Sequence, residues 1–338
     1  MPEVVIDARA AARRQLSGVE RWAVELAERL PALRPGFYGI ARPPRALAYR
    51  AGQAWEQLAL PVVARRAGAR LVLGPANLAP LAWRGNVVVI HDAVALSHPE
   101  WFSSAYAAWH GRVLPALARR ARRVVTVSRF SRDELERHTG VAAEVVPGGV
   151  DERFTPSADA ARARRALRLE RPYVLCVAGE GERKNLGALA AIARAVRPRG
   201  LEVVAAGSRR AHHSRGAAPP DVRALGYVDD ALLPGLYAGA EAFVLPSRHE
   251  GFGLPCLEAM ACGTPVVASA VGALPETCGD AAVLVDAADL PAAVEGVLDD
   301  GALRARLSAA GRERASGFSW ARTAHAIDAL LAELAHTL

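Results

Sequence analysis

The sequence predicts an α/β chain built as two doubly wound halves with parallel sheets, and three observations carry that prediction. Short β-branched runs alternate with amphipathic stretches at helical spacing through the first 150 residues, and the alternation resumes at Tyr173. The run Val87 to Ile90 is continuously apolar, as suits a strand buried on both faces of a parallel sheet. Between the two series, residues 151–171 turn to Pro, Asp and Arg with little β character, which reads as a connection plus one short helix. Domains are therefore expected at 1–155 and 168–318, with a last helix in 319–338 returning toward the first.

In chain order, a strand is expected at 4–8, and the Ser17-Gly18 turn opens an amphipathic helix over 19–33. A strand at 36–41, a helix at 55–67 and a strand at 71–73 follow. The strand at 87–90 ends in His91 and Asp92, and a helix occupies 104–120. The strand at 124–127 ends at Ser128, and Ser131 with Glu134 forms a capping box for the next helix. VVPGGV at 145–150 closes the half.

The second half opens with a strand at 173–178, the loop GEGERKN and a helix over 186–196, then strands at 201–206 and 223–228 and a helix at 232–238. Residues 242–269, AFVLPSRHEGFGLPCLEAMACGTPVVAS, read as strand, loop, helix, strand. Pro255 suits the first turn of a helix and Gly263 its end. A last strand is expected at 281–285, and Ser319 caps a closing helix over 320–335.

Composition narrows the class. Apolar residues make up 51% of the chain, yet no run reaches the roughly 18 to 20 residues of a membrane span. The N-terminus goes straight into a strand pattern without the layout of a signal peptide, so a cytoplasmic location is expected. Cys176, Cys256, Cys262 and Cys278 sit in apolar settings with no CxxC pair, which favours buried packing over metal or disulfide duty. The net charge is +7, and the pI is near 9.7. Basic residues are spread over most helices, and no aromatic and basic interleaving marks a nucleic-acid binder. Arg112, Arg119, Arg120, Arg122 and Arg123 form the one local concentration, read either as a solvated helix end or as a contact for a phosphorylated acceptor or for lipid headgroups at the inner face of a membrane. Lys184 is the sole lysine in a chain that otherwise uses Arg. A compact ammonium kept at one place hints at a site that a guanidinium fork would not fit.

Parallel sheets bind ligands beyond the carboxyl ends of their strands, so the loops after strands are the places to search. Gly18 would let a ligand approach a helix start, or is a simple N-cap turn. His91 ends an apolar strand without obvious structural need, although a core histidine bonded to a carbonyl is the competing reading. Ser128 and Arg129 follow another strand. Gly179 to Asn185 carries Arg183 and Lys184 ahead of a helix, where phosphate is favoured, but it lacks the order of a P-loop. In 242–269 two carboxylates frame a Gly-rich turn. Each of Glu250 and Glu258 has two acceptor oxygens suited to the vicinal hydroxyls of a sugar, and the N–H groups of Gly251, Phe252, Gly253 and Leu254 suit a diphosphate. Phe252 also reads as a packing anchor, and Glu258 as an early helical acid.

At this point a resemblance stands out. The string Glu250-GFGLPCL-Glu258 with AMACGTPVVAS and Leu274-Pro275-Glu276 resembles the retaining enzymes of glycosyltransferase family 4, which share the GT-B fold of two Rossmann-like domains facing across a cleft. Arg183-Lys184-Asn185, Gly226-Tyr227-Val228, the 145–151 segment, Ile90-His91-Asp92, Thr126-Val127-Ser128 and the Gly18 turn all fall where relatives have theirs. The chain departs from the usual pattern at Gly148, Ala178 and Glu180.

The resemblance implies sugar transfer from a nucleotide-diphosphate donor with retained anomeric configuration and no essential metal or other cofactor. Carried over by position, Glu258 would hold the ribose, Glu250 the transferred sugar, Arg183 and Lys184 the diphosphate, and His91 the sugar near the reacting carbon. Gly18 would line the cleft, Gly226, Tyr227 and Val228 would meet the base, and Asp92, Ser128 and Arg129 are acceptor-side candidates. The form of the RKN and SRHEGFGLP segments is most similar to the mannosyltransferase branch, which makes GDP-mannose the expected donor ahead of UDP-sugars. A glycan, a glycolipid or a small hydroxyl compound is expected as acceptor, and no nucleic acid as partner. The alternatives are a sugar-nucleotide epimerase or a binding protein without turnover. A phosphorylase is disfavoured, because the sole lysine lies in the phosphate-type loop.

Overall fold

A computed structural model describes residues 1–44, 52–207 and 217–337. The chain forms two compact units. The first comprises Met1–Ser97, Ala105–Gly149 and the stretch from Trp320 on, and the second comprises His98–Ser104 and Val150–Ser319.

In the first unit six parallel strands lie in the order β2-β1-β3-β4-β5-β6. They are β1 (Val4–Asp7), β2 (Tyr38–Ala41), β3 (Leu71–Gly74), β4 (Asn86–Val89), β5 (Arg123–Thr126) and β6 (Glu144–Val145). Every residue of β1, β3 and β4 is buried, as the near-continuous Val, Ile and Leu runs require of strands covered on both faces. Two polar residues sit in these strands: Asp7 accepts from Trp55 Nε1 at 3.0 Å, and Asn86 donates Nδ2 to the carbonyls of Pro80 and Trp83. Helix α1 (Gly18–Leu33) follows β1, and a helical stretch α2 over 52–66 includes a π-helical turn, Trp55–Ala59, before Leu60–Arg66. Helices α3 (Val94–Ser97), α4 (Ser104–Arg120) and α5 (Arg129–Thr139) complete this half.

The second unit holds another six parallel strands, ordered β12-β11-β10-β7-β8-β9. These are β7 (Tyr173–Val177), β8 (Glu202–Ala206), β9 (Arg223–Gly226), β10 (Ala242–Leu245), β11 (Val266–Ser269) and β12 (Ala282–Val285). The chain runs outward from β7 to β9, then returns to the other side of β7 with β10. That makes the gap between β7 and β10 the topological switch point of the sheet. Helix α6 (Ala160–Leu167) precedes β7, and α7 (Leu189–Val196), α8 (Leu233–Ala238), α9 (Leu254–Ala261), α10 (Leu274–Cys278), α11 (Leu290–Asp299) and α12 (Gly301–Ser316) follow in order.

The closing helix α13 (Trp320–His336) belongs to the first unit, as the fold reading expects. Asp328 accepts from Arg34 at 2.8 Å and from the Tyr38 hydroxyl at 2.6 Å, and the Trp320 ring meets Trp22 edge-on. Two expectations are corrected. The units divide at Gly149 and Val150 instead of at 155, and the segment read as a connection belongs to the second unit, where α6 packs on α8. The cap of α5 is Ser128, whose side chain accepts from the Ser131 N–H at 3.0 Å. Ser131 is already inside the helix and donates its hydroxyl to the His91 carbonyl instead.

Candidate active site

The switch point of the second sheet brings together the two loops that carry the most chemistry. The loop after β7 ends in a 3-10 turn, Glu182–Lys184, and the loop after β10 runs from Pro246 to Gly253. Two bonds tie them: the Arg248 N–H donates to the Arg183 carbonyl at 2.8 Å, and Asn185 Nδ2 donates to the Pro246 carbonyl at 3.1 Å. Asn185 takes a left-handed conformation, φ 51°, which a short polar side chain tolerates and which turns the chain into the following helix.

Glu250 is buried at this junction. Its Oε1 accepts from Lys184 Nζ at 2.5 Å and from Ser247 Oγ at 2.7 Å, and Arg183 Nη1 lies 3.9 Å from Oε2. Burial alone would raise the pKa of this carboxyl. The charges of Lys184 and Arg183, with the hydrogen bonds from Lys184 and Ser247, outweigh burial and hold it at about 2. Arg183 and Lys184 thus both face the one buried carboxylate of this junction. Gly272 supports Glu250 from beneath, with φ 59°, and a Cβ there would stand 2.4 Å from the Glu250 carbonyl oxygen. The Ala273 N–H donates to that same carbonyl at 2.9 Å.

Glu258 lies in α9, buried, and accepts from the Tyr237 hydroxyl at 2.8 Å. Burial, and then the charge of Glu258, push the Tyr237 phenol well above its usual range, so it stays a donor. Gly251, Gly253 and Leu254 are buried along the turn into α9, and Gly253 adopts φ 96°. Phe252 packs edge-on against Phe318 at 5.9 Å, the anchoring role. Gly226, Tyr227 and Val228 lie at the carboxyl end of β9, two strands from β7 along the same edge of the sheet. The Gly226 carbonyl accepts from the Gly207 N–H at 2.8 Å, and Val228 is buried.

In the first unit, His91 follows β4. Its Nε2 stands 2.9 Å from the Pro75 carbonyl, its N–H donates to Asn77 Oδ1 at 2.8 Å, and its ring meets Trp22 edge-on at 5.5 Å. A carbonyl can only accept, so Nε2 carries the proton and the neutral ring presents Nδ1 as an acceptor. Burial lowers the His91 pKa, which keeps the ring neutral. Asp92 Oδ1 accepts from the Val94 N–H at 3.3 Å at the start of α3. Ser128 caps α5, Arg129 is its first residue, and Gly18 is the first residue of α1 behind a capping box between Ser17 and Glu20.

The structure thus groups Arg183, Lys184 and Glu250, and places Glu258 and the Gly251–Leu254 turn in the same unit, with His91 on the other. Sequence reasoning missed Ser247, Tyr237 and Gly272, which hold the two glutamates, and Pro75 and Asn77, which hold His91. It also missed His98–Ser104, where His98 stacks on Trp101 at 4.0 Å and Trp101 and Phe102 line a small hollow with Gly181 to Lys184. A run of aromatic residues beside His98 was the only signal available.

Residues 16–154 match the family described as Glycosyltransferase Family 4, and residues 171–300 match Glycosyl transferases group 1. The O-antigen chain mannosyltransferase B of Escherichia coli is 49% identical over 109 residues, 31% of this chain and 29% of that protein. A D-inositol 3-phosphate glycosyltransferase of Salinispora arenicola is 41% identical over 211 residues, 53% of this chain and 47% of that protein. The chain therefore spans less than half the length of these two relatives. A sucrose-phosphate synthase from Thermosynechococcus elongatus shares the fold over 100% of both chains with a TM-score of 0.79 at 22% identity. Both halves of the sequence being matched, the chain belongs to the glycosyltransferases of family 4 and has their GT-B architecture.

Proposed function

We propose that the chain transfers a hexose, mannose in the first instance, from a nucleotide-diphosphate sugar to a hydroxyl of a glycan, a glycolipid or a small molecule, with retention at the anomeric carbon. The observation that carries the proposal is the Lys184–Glu250 pair at the switch point of the second sheet. Lys184 and Arg183 stabilise the negative charge that grows on the departing nucleotide diphosphate, and the N–H groups entering α9 add to it. Glu250, ionised and filled at Oε1, keeps acceptor capacity at Oε2 for hydroxyls of the transferred sugar. Glu258 accepts the ribose hydroxyls, the 226–228 segment meets the base, and neutral His91 accepts a sugar hydroxyl at Nδ1. Gly18 lines the cleft on the donor's side, Asp92, Ser128 and Arg129 belong to the acceptor side of this reading, and no metal or cofactor takes part in it.

The mannose assignment leans on the E. coli relative, named as a mannosyltransferase. The deciding experiment is incubation with GDP-mannose, UDP-glucose and other nucleotide sugars, following nucleotide release and the product anomer by NMR. Turnover with GDP-mannose giving the donor's own anomeric configuration is expected. An inverted product overturns retention, and silence toward every nucleotide sugar overturns the reading.

A further inference from the structure

Large apolar side chains scattered singly over a surface are ordinary, but here several gather. Among the described residues, Leu58 is 72% exposed, Val62 43% and Val63 36%, all on α2. Ala54, Leu58 and Val62 follow one another at the four-residue spacing of a single helix ridge, and all three face solvent. Leu60 and Pro61, between Leu58 and Val62, and Ala64, beyond Val63, are buried, so the helix already uses its other side for the core. The packed neighbour of Leu60–Arg66 is the edge strand β2, where Ile40 is also exposed, at 39%.

The charges beside this ridge share one sign. Arg65 and Arg66 end the helix and Arg42 follows β2. All three are exposed, and none makes an ion pair with a described residue. The one acid of the stretch, Glu56, is buried and occupied by Arg9, and the next cation, Arg70, is paired with Glu3. The helix 104–120 and the basic run at its end offer no comparable anchor. No large apolar side chain is exposed there, Arg122 donates to Thr337, and Arg123 faces Glu144.

We propose that α2 with the tip of β2 is a docking surface for an anionic lipid bilayer, on which Leu58, Val62 and Val63 enter the headgroup boundary and Arg42, Arg65 and Arg66 meet lipid phosphates. Three modest apolar side chains give only weak partition by themselves, and each neighbouring Arg adds an electrostatic increment that salt screens. Charge complementarity therefore selects an anionic interface over a neutral one. No described helix is long and apolar enough to cross a membrane, so the contact lies along the surface.

The test is sedimentation of the full chain with vesicles of phosphatidylcholine alone or with about a third phosphatidylglycerol, at low and at physiological salt. The proposal expects binding to the anionic vesicles that weakens with salt, about tenfold or greater loss in Leu58→Asp/Val62→Asp, and a similar loss in Arg65→Glu/Arg66→Glu. Arg119→Glu/Arg120→Glu should bind within about twofold of the wild type. Unchanged far-UV circular dichroism and thermal midpoint establish that the surface variants fold. The proposal is overturned if the wild-type chain fails to bind, binds neutral vesicles equally, or keeps its binding in Leu58→Asp/Val62→Asp. It is also overturned if sedimentation without vesicles shows a dimer that this double variant dissociates, since the ridge would then serve a second copy.

Discussion

At the level of single residues, Lys184 explains the oddest feature of the composition. Its ammonium and the Ser247 hydroxyl share one oxygen of a buried carboxylate, a geometry that suits a compact point donor better than a planar fork. Lys184→Arg is expected to lower turnover of the nucleotide sugar about a hundredfold while leaving the chain folded. Glu250→Ala strands Lys184 without its partner and should cost about 3 kcal/mol or more, measured by denaturant unfolding. Because the folded pKa of Glu250 is depressed, its contribution is full above about pH 4.5 and disappears as pH falls toward about 2. Glu56 has the opposite sign. Burial outweighs the charge of Arg9 and raises its pKa to about 7, so its contribution is full below about pH 4.5 and is lost as pH rises through 7. Relative to wild type, Glu56→Gln should gain up to about 3 kcal/mol between pH 4.5 and 8. A pH series of thermal midpoints for both proteins checks this.

At the level of elements, strands and helices were legible because most β-branched runs are buried and most helices carry an apolar stripe. The errors came where local chemistry offers two equivalent readings. Ser128 and Ser131 both suit an N-cap, and the extended backbone at Ser128, with its side chain accepting from the Ser131 N–H, selects the first. The 151–171 segment looks like a linker by composition, yet the close approach of α6 to α8 at Gly235, where a Cβ would meet the Asp159 oxygen at 2.3 Å, makes it core. In the candidate site the titratable groups were legible and their supports were not. Gly272 shows why: its importance comes from the backbone of Glu250, distant in sequence, which no local pattern encodes. Gly272→Ala combines a left-handed φ with a backbone clash and is expected to destabilise the chain by about 2 kcal/mol or more. It should also raise KM for the donor, because Glu250 must shift to make room.

For the whole molecule, the order of strands in the second sheet does what no single residue can. A continuous count from β7 to β12 would set loops side by side in sequence order, but the reversal at β7 puts residues 183 and 250 next to each other. The twofold α/β pattern was readable because it rests on alternation. Which strand neighbours which was readable only through resemblance. The helix from Trp320 completes the first unit, burying Trp320, Ile327 and Leu331 there. A chain ending at Ser319 should therefore lose the cooperative unfolding of the first unit while that of the second survives, as calorimetry of the shortened and full chains would show.

The path between the units has a consequence for recombination. The chain passes from one unit to the other four times, at His98, Ala105, Val150 and Trp320, so no single crossover point separates them. A chimera made by joining the first 149 residues of one relative to the remainder of another would inherit an aromatic patch and a closing helix fitted to the wrong neighbours. Exchange of donor and acceptor specificities by shuffling would have to move residues 98–104 with the second unit and the stretch from 320 with the first.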